Sequence, residues 1–446
     1  MKATFRGWLR DLEAQGELTR VRREVDARHI SALAAQAQGA LLLERVRGYD
    51  VGVVAGLARN RRQLALTLGC AEGEVGKVLC RGLEAPIPPR VVPAAAVKDV
   101  VLTGEAVDLA RFPIPLLHTK DGGPYLSGGV VVAKDPAGRR NAGMYRLMFR
   151  RRNQTGIDLA SHSDLRRLYR EAWQAGRPLP VAVALGVHLY GMLGATFQAP
   201  PGADEFAVAG GLQGAPLDLV RCETVDVEVP ADAEIVLEGE ILPTGWTADE
   251  GRFGDVYWTM GDLKWNPIFR ITAITHRRDP LLYCLHMPWE NVWLGRAMTE
   301  AAAWKILQDV RVQVTAVRAG FGLVVAAIRK ASGEGKNALL ALLAQGVTKI
   351  AIVTDEDVDI FNQEELEWAI AFRVQAGRDV IVVPGARGKH LDPSVRAWEL
   401  KPGELPMTDK LGIDATIPEG IPREKYERMA YPFAERIRLS DYLGEA

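Results

Sequence analysis

This sequence of 446 residues contains only four cysteines, and no two of them form a CxxC pair. They are scattered along the chain at Cys70, Cys80, Cys222 and Cys284. Such spacing provides neither a structural zinc site nor a disulfide framework. We therefore expect a protein of the reducing cytoplasm.

The chain also lacks a hydrophobic run long enough to cross a membrane. Its longest apolar stretch, residues 179–197, is interrupted by proline, histidine and glycine residues. The opening residues lack the apolar core of a signal peptide. The sequence therefore predicts no membrane association.

No excess of one charge is present, because 55 basic and 56 acidic residues give a net charge of −1. A nucleic-acid-binding domain usually carries a basic face. The short basic cluster at residues 150–152 is instead expected to be the solvated end of a strand. Repeats and low-complexity segments are also missing, so the composition indicates a compact, enzyme-sized protein that does not bind nucleic acid.

Hydrophobic spacing divides the chain into three regions. Residues 1–120 alternate helices and strands, open with an amphipathic helix behind the predicted N-cap Thr4, and include a proline-rich linker at 86–93. Residues 121–296 change to Val- and Ile-rich strands separated by Pro or Gly, with one helix at 163–175. We predict that this region is a split β-barrel-like domain that holds the ligand.

Residues 297–446 return to alternating helices and strands and are predicted to form a C-terminal α/β oligomerisation domain. Asn362 and Glu365 give an N-x-x-E capping signal before one of its helices. A helical pattern at 423–436 predicts a tail that either clasps a partner subunit or packs on its own domain. The predicted fold class is thus α/β (α+β), with a central barrel flanked by two α/β regions and a helical tail.

Two short segments contain the residues that best indicate a catalytic function. The first places Glu250 and Asp255 on either side of a Gly-Arg-Phe-Gly loop, and the second places Asn141 and Arg146 around a glycine in an apolar strand. An arginine between two carboxylates can bind an acid and supply a proton. Paired carboxylates also serve glycoside hydrolases, but those usually lie on separate strands, whereas Glu250 and Asp255 are five positions apart in one loop.

Six motifs, taken in order, resemble the UbiD family of reversible decarboxylases, which use prenylated flavin mononucleotide (prenylated FMN), and in particular its aromatic and heteroaromatic acid branch. Each motif is weak alone, and their order and spacing carry the resemblance. They are NAGMYR (141–146), PPGADEFAVAGGLQG (200–214), AEIVLEGEI (233–241), EGRFGD (250–255), DEDVDIFN (355–362) and KLGIDAT (410–416).

The resemblance implies a divalent metal, Mn²⁺ or Mg²⁺, that anchors the phosphate of the cofactor. Asn141, His162 and Glu205 match the family's ligands, and their donor atoms suit such an ion. His162 is the looser match, because the family often has an arginine after it. The resemblance also implies K⁺ beside the carbonyl groups of residues 194–197, with Glu205 shared. The other implied cofactor-binding residues are Met144, Tyr145, Arg146 and Lys410, the last as a phosphate contact.

The catalytic set implied by the resemblance is Arg146, Glu250 and Asp255. Arg146 would orient the leaving carboxylate, Glu250 would pair with Arg146 and help to poise the cofactor, and Asp255 would deliver the proton. The family's usual residues are a glutamate at the position of Asp255 and a proline at the position of Arg252. These departures keep open a second interpretation, a catalytically silent flavin-binding subunit.

Residues 286–296 are rich in groups that stack on, or hydrogen-bond to, a flat ring. We predict furan, pyrrole, indole or benzenoid acids as substrates, with CO₂ as the other reactant, whereas an acrylic-type acid is the alternative. Core packing is the competing explanation for the tryptophans. The resemblance further implies a flavin prenyltransferase as cofactor supplier and a homodimer or homohexamer. The predicted substrate residues are His286, Trp289, Asn291 and Arg296.

Overall fold

The computed structural model describes residues 3–159, 163–197, 203–396, 399–400, 404–433 and 436–442. The N-terminal region is α/β, as predicted, and Thr4 caps its first helix by accepting a hydrogen bond from Gly7 N at 3.1 Å. Its elements are α1 (Phe5–Ala14), β1 (Leu18–Val21), α2 (Ile30–Gln36), β2 (Ala40–Leu43), β3 (Gly52–Ala55), α3 (Arg61–Leu68), α4 (Val75–Glu84), β4 (Arg90–Val91) and β5 (Val100–Thr103).

The central region consists mainly of strands rich in Val, Ile and Ala, whose apolar side chains fill the largest part of the core. Three helices lie between them, and the one predicted at 163–175 is present as α5. The elements are β6 (Tyr125–Lys134), β7 (Arg140–Arg151), β8 (Gln154–Ile157), α5 (Asp164–Gln174), β9 (Leu179–Leu185), α6 (Leu189–Thr196), α7 (Glu205–Gln213), β10 (Asp218–Arg221), β11 (Glu228–Pro230), β12 (Ile235–Ile241), β13 (Ala248–Glu250), β14 (Lys264–Asn266), β15 (Ile268–His276) and β16 (Leu281–Tyr283).

Six of these strands close into a barrel in the order β12-β9-β6-β7-β8-β15, because β12 also pairs with β15. Closure removes the free edges that an open sheet would expose. This confirms the predicted barrel-like centre.

Strand pairing crosses the boundary that was predicted at residue 120. Strand β5 joins the barrel next to β15, whereas β16 joins the N-terminal sheet in the order β1-β2-β3-β16. Strand β4 pairs with β10, and β10 with β11, in a small third sheet. The N-terminal region and the barrel are therefore joined by shared sheets rather than by a simple linker.

The C-terminal domain has a five-stranded sheet with its own smaller core. Asn362 caps α10 by accepting from Glu364 N at 3.0 Å, while the Glu365 carboxylate bonds to Asp359 N instead of closing a capping box. The elements are α8 (Trp289–Asp309), β17 (Val314–Ala319), β18 (Leu323–Ile328), α9 (Glu334–Leu343), β19 (Ile350–Asp355), α10 (Gln363–Arg373), α11 (Ala376–Asp379), β20 (Val380–Arg387) and β21 (Met407–Ala415). The strand order is β17-β18-β19-β21-β20.

The helical tail predicted at 423–436 was wrong over its described part. From Arg423 to Phe433 the structure has a single turn of 3₁₀ helix, Arg423–Tyr426. Pro432 lacks an N–H and disfavours a helical conformation in the preceding residue. The side chains here are mostly exposed, so no core contact compensates.

In the described ranges, no helix combines the length and the apolar character that crossing a membrane requires.

Candidate active site

A bulge lies beside the arginine that was predicted to be catalytic. Two residues of β6, Ser127 and Gly128, stand opposite the single residue Arg146 of β7. A bulge of this kind bends the strand and re-aims neighbouring side chains. The local departure from regular pairing therefore occurs at the residue on which the site depends.

Arg146 is surrounded by three carboxylates. Its Nε and Nη2 donate to the two oxygens of Glu250, both at 2.9 Å, while Nη2 lies 3.0 Å from Asp158 Oδ2 and Nη1 lies 3.5 Å from Asp255 Oδ2. Burial opposes the charge of Arg146, but the three carboxylates outweigh it and raise the pKa of the guanidinium. The structure thus brings together all three residues that were predicted to be catalytic.

Phe253 lies in the loop from Glu250 to Asp255, which we call the acidic loop, and its ring packs against this ion-pair cluster. The guanidinium carbon of Arg146 lies 4.5 Å from the centroid of the Phe253 ring, and the Tyr125 ring centroid is also 4.5 Å away. An arginine over an aromatic face is stabilised by the ring quadrupole. Burial, reinforced by the charge of Glu250, raises the pKa of Tyr125, so its hydroxyl stays protonated at neutral pH.

Asp255 begins a tight turn. Its backbone N donates to Thr259 O at 2.9 Å, and Trp258 N donates back to Asp255 O at 3.1 Å. One carboxylate oxygen, Oδ1, accepts from Val256 N at 2.7 Å. The other oxygen, Oδ2, therefore remains on the side of Arg146.

A second polar cluster lies at the start of β7. Asn141 Nδ2 and Ala142 N donate to the two oxygens of Glu205 at 2.9 and 3.0 Å. Glu205 is the first residue of α7, and burial raises its pKa. The buried Asn141 Oδ1 has no hydrogen-bond partner among the described residues. An unpartnered amide oxygen beside a buried carboxylate fits a divalent cation.

The third predicted metal ligand, His162, lies outside the described residues. Within the ranges that are described, no three His, Cys, Asp or Glu side chains cluster as a metal site. Gly194, from the segment predicted to bind K⁺, packs directly on the backbone carbonyl of Glu205. A cation here would therefore take part of its coordination from amide or carbonyl oxygens or from a phosphate.

Met144 and Tyr145 lie on β7 between the two clusters. Met144 Sδ accepts a hydrogen bond from Thr196 Oγ1 at 3.4 Å. Burial raises the pKa of Tyr145 to about 12, while a hydrogen bond with Ser163 opposes this effect. The segment between Asn141 and Arg146 is thus fixed by contacts with the helical side of the barrel.

Lys410, predicted as a phosphate contact, has a different role in the structure. It is buried in strand β21, and its ammonium donates to the backbone oxygens of Leu343 at 2.6 Å and Gln345 at 2.8 Å, at the end of α9. Lysine side chains often satisfy the last carbonyl groups of a helix in this way. The alternative of a solvated loop lysine is also wrong, because the residue is in a strand and enclosed.

The predicted substrate segment begins at His286, just before α8. The fully buried Glu290 accepts hydrogen bonds from His286 N at 2.6 Å, from Gly56 N at 2.8 Å and from Leu57 N at 2.7 Å. One carboxylate therefore ties the segment to the N-terminal sheet. Helix α8 starts at Trp289, within this predicted substrate segment.

The imidazole of His286 is enclosed next to two cationic side chains. Burial, followed by the charges of Arg59 and His118, lowers the pKa of His286 to about 4. Its Nδ1 is buried and has no hydrogen-bond partner among the described residues. His286 is therefore a neutral group at pH 7 that can still donate to, or accept from, a ligand.

The other predicted substrate residues lie along α8. Trp289 packs against Trp258, with ring centroids 5.1 Å apart. Both amide atoms of Asn291 are buried and lack a partner in the described part of the chain. The guanidinium carbon of Arg296 lies 4.5 Å from the ring centroid of Phe321, in the turn between β17 and β18. Arg296 thus contacts the turn that joins the first two strands of the C-terminal sheet.

A cavity of about 350 Å³ lies between the turn that begins at Asp255 and the C-terminal domain. Its lining includes Tyr257, Trp258, Phe321 and Lys389, together with Lys349 and Asp392, whose side chains form an ion pair at 2.7 Å. The three aromatic side chains suit a ligand with a flat ring. The volume matches a small organic ligand.

Sequence reasoning missed several residues of the site. Asp158 and Phe253 contact Arg146, and Tyr125 packs on Phe253. Tyr125 and Asp158 lie in no pattern that marks their role. The pair His118 and Asp121 was missed as well, although it packs on the acidic loop. Phe253 lies inside a quoted motif, so its position next to the carboxylates was the one available signal.

Family models of 3-octaprenyl-4-hydroxybenzoate carboxy-lyase match most of the chain. The model of the N-terminal domain matches residues 9–81, that of the Rift-related domain matches 90–288 and that of the C-terminal domain matches 292–415. The chain belongs to the UbiD family. It is therefore a UbiD-class decarboxylase, as the motifs predicted.

Two curated relatives align with nearly the whole of this UbiD-class chain. Anhydromevalonate phosphate decarboxylase of Methanothermobacter thermautotrophicus is 33% identical over 413 residues, which cover 90% of this chain and 93% of the relative. Phenolic acid decarboxylase of Sedimentibacter hydroxybenzoicus is 32% identical over 455 residues, which cover 94% and 93%.

The UbiD-class enzyme HmfF from Pelotomaculum thermopropionicum gives the structural comparison. Its complex with FMN superposes with a TM-score of 0.92 at 40% identity, covering 99% of this chain and 100% of that chain. An evolved dimeric form of the same enzyme, in complex with prenylated FMN, gives a TM-score of 0.87 at 37% identity with the same coverage. The mixed α/β fold with its closed barrel is thus that of UbiD-class enzymes.

Proposed function

We propose that this enzyme catalyses the reversible, non-oxidative decarboxylation of an aromatic or heteroaromatic carboxylic acid, with prenylated FMN as cofactor and Asp255 as proton donor. The substrate ring is of the furan, pyrrole, indole or benzenoid type. The observation that carries the proposal is the buried cluster in which Arg146 binds Glu250 through two nitrogens while its third nitrogen faces Asp255.

The three nitrogens of the Arg146 guanidinium differ in how closely they contact their carboxylate partners. Nε and Nη2 are engaged at 2.9 Å by Glu250, whereas Nη1 lies 3.5 Å from Asp255. Charge-assisted hydrogen bonds are usually about 2.7–2.9 Å long. Nη1 is therefore the nitrogen available to a substrate carboxylate. A carboxylate bound there places the carbon that loses CO₂ next to Asp255.

The contact distances support Asp255 as the proton donor. Glu250 and Asp158 contact Arg146 at 2.9 and 3.0 Å, whereas Asp255 makes the longest contact, at 3.5 Å. Asp255 is therefore the carboxylate held least tightly by the guanidinium. Its Oδ2, which faces Arg146, would transfer the proton to the product carbon.

The cofactor would supply an electron sink, which the side chains do not provide. Prenylated FMN, when bound, would provide the sink for the electrons that remain when CO₂ departs. Asn141, Glu205 and His162 would hold Mn²⁺ or Mg²⁺ at its phosphate, with K⁺ beside Gly194. Asn141 Oδ1, which has no hydrogen-bond partner among the described residues, and the buried Glu205 carboxylate support this assignment.

The ring preference rests on the groups around the proposed substrate position. His286 Nδ1 and the Asn291 amide are buried polar groups without partners in the described residues, and Trp289 offers a flat surface nearby. A ring heteroatom or substituent would satisfy these polar groups, which are costly to leave unpaired. An α,β-unsaturated acid is the second candidate, because one relative at 33% identity is named as a decarboxylase of anhydromevalonate phosphate.

A homodimer or homohexamer in the cytoplasm is the proposed working form. The side chains of Met429, Tyr431, Phe433 and Tyr442 in the C-terminal tail are exposed large apolar groups, which a second copy of the chain would cover. All four cysteines are free, in keeping with a reducing compartment. A separate flavin prenyltransferase would supply the cofactor.

Protein produced with and without a flavin prenyltransferase tests the proposal. Co-production should give a protein with bound prenylated FMN and stoichiometric metal that decarboxylates at least one of the four ring types. Protein from cells without the prenyltransferase should be inactive. Equal turnover by flavin-free protein would refute the cofactor assignment, and turnover of acrylic-type acids alone would select the second candidate.

A further inference from the structure

The segment from His118 to Gly122 packs on the acidic loop of the site. The Asp121 side chain is completely enclosed, and its oxygens accept from His118 N at 2.8 Å and from Gly254 N at 3.0 Å. Gly254 directly precedes Asp255. The buried carboxylate of Asp121 thus holds the backbone on which the proposed proton donor is mounted.

Backbone contacts reinforce this arrangement. Gly122 N donates to Arg252 O at 2.9 Å. Gly122 and Gly251 approach so closely that a Cβ on either residue would collide with the backbone of the other. A Cβ at Gly254 would collide with the His118 ring. The glycines of the acidic loop are therefore needed for this contact rather than for conformational freedom.

His118 connects the acidic loop to the substrate segment. Its Nδ1 lies 3.2 Å from both oxygens of Asp121, and its Nε2 lies 3.4 Å from Met287 O, next to His286. A neutral imidazole has one N–H and can donate to only one of these acceptors. A protonated imidazole donates to both.

We propose that His118 and Asp121 are a positioning pair, which in its protonated form fixes the turn of Asp255 relative to the substrate segment at His286. This inference rests on the proposed function of Asp255. Neither side chain needs to touch the reacting atoms, because Asp121 acts through Gly254 and His118 acts through Met287. The substrate acid would meet its proton donor in a fixed orientation only while both contacts are made.

The charges around His118 determine the pH at which it loses its proton. Asp121 faces it from its own segment, the neutral His286 lies on the substrate segment with Arg59 beyond it, and the Arg146 cluster lies across the Phe253 ring. The hydrogen bond with Asp121 raises the pKa of His118 above its usual 6.5, against the effect of burial. The doubly donating form therefore persists to a higher pH than in a free imidazole, and it is lost as the pH rises through this raised value.

Two amide substitutions separate the contacts. In His118→Asn the amide replaces Nδ1 and retains the donor to Asp121, whereas in His118→Gln it replaces Nε2 and retains the donor to Met287. We expect kcat of the cofactor-loaded enzyme to fall about tenfold in each, with KM and flavin content nearly unchanged, since one hydrogen bond to a charged or buried group is lost. The alkaline decline of kcat that His118 causes should be absent in both variants.

The exposed His29 provides the matched control. His29→Gln should leave kcat and its pH profile as in the wild type. If both His118 variants keep kcat within about twofold of the wild type, or keep its alkaline decline, the proposal is overturned.

A second measurement uses the cofactor-free protein and does not depend on the reaction. In an NMR titration of the histidine Cε1–H signals, the His118 resonance is the one that disappears in His118→Gln. It should titrate above pH 6.5, and Asp121→Asn should lower its midpoint. A midpoint at or below 6.5 in the wild type would refute the pair. Absence of decarboxylase activity in the wild type, with the expected titration, would instead refute the proposed function alone.

Discussion

Arg146 and Glu250 form a two-point ion pair in which Nε and Nη2 donate to separate carboxylate oxygens at 2.9 Å. The Glu250 side chain is fully enclosed. Because the planar guanidinium matches the carboxylate along one edge, Glu250 sets the orientation of the whole group. The remaining nitrogen, Nη1, is thereby directed to the side of Asp255. This pair decides which part of Arg146 is left for a substrate.

Arg146→Lys should remove this orientation while keeping the positive charge. A lysine presents a single ammonium and does not form a two-point pair with Glu250. We expect kcat/KM to fall by about a hundredfold or more, the range found when one fixed donor is removed from a catalytic site. Flavin content should be retained, because the cluster of Asn141 and Glu205 is untouched. Steady-state kinetics and the flavin absorbance spectrum measure both effects.

Arg151→Lys is the control for this substitution, since Arg151 is exposed at the end of the same strand. It should leave kcat/KM unchanged. A small effect of Arg146→Lys, similar to that of Arg151→Lys, would show that the two-point geometry is not needed.

Glu205→Ala should remove metal and cofactor together. The substitution deletes the buried carboxylate that bonds Asn141 Nδ2 and Ala142 N, and with it the negative charge that a divalent cation needs. Metal analysis and flavin absorbance of the purified protein are the measurements. The matched control is Glu364→Ala, which removes an exposed glutamate from the first turn of another helix, α10. Wild-type metal and flavin content in Glu205→Ala would show that the site lies elsewhere.

His286→Ala should change substrate preference rather than the reaction itself. His286 Nδ1 is a buried polar atom without a partner in the described residues, whereas Arg146 and Glu250 would serve every acid. The ranking of kcat/KM among furan, pyrrole, indole and benzenoid acids should therefore change, while the cofactor spectrum stays the same. An unchanged ranking would return this segment to a packing role.

His286 should also make stability depend on pH. Its pKa is about 4 in the folded protein against the usual 6.5, so the unfolded chain binds more protons between these values. Stability is therefore lost as the pH falls from 6.5 to 4, by up to about 3 kcal/mol for a 2.5-unit shift. His286→Gln should lose less stability over this window in urea unfolding. His29→Gln, at an exposed position, should follow the wild type, and identical slopes for all three proteins would exclude the effect.

The sequence predicted the centre of the site because its residues lie in compact motifs. Arg146, Glu250 and Asp255 occupy two short segments, and the strand alternation around them predicted the barrel that brings these segments together. Asn141 and Glu205 also lie in compact motifs, and they are in contact in the structure. Asp158 was missed because it is an isolated carboxylate after a hairpin, and its role arises only when β8 pairs next to β7 in the closed barrel.

Other features depended on long-range contacts that local patterns do not contain. Lys410 lies in a motif, yet its partner atoms are the last carbonyl groups of a distant helix. Helix α8 begins at Trp289 because the buried Glu290 in its first turn bonds to the N-terminal sheet. His118 and Asp121 are polar residues in an irregular segment, and only the packing of Gly254 against them reveals the pair.

Asp255→Asn tests the assignment of the proton donor. The amide is nearly isosteric and can keep the contact with Val256 N, so the turn and the bound flavin should be preserved. It has no acidic proton to transfer, and general acid catalysis contributes about a hundred- to ten-thousandfold. Decarboxylation should fall by this factor, and the exchange of solvent deuterium into the product, at the carbon that held the carboxylate, should be lost as well.

Asp255→Glu is the companion variant, because it restores the residue that the family usually has. It should keep measurable activity if the pocket accepts one more methylene group, and it should keep the exchange reaction. The exchange rate of the Asn variant decides between donors, since exchange needs proton transfer but no net loss of CO₂. Exchange at the wild-type rate in Asp255→Asn would assign the proton to another group. Glu250, the other buried carboxylate in contact with Arg146, would then be the donor to test.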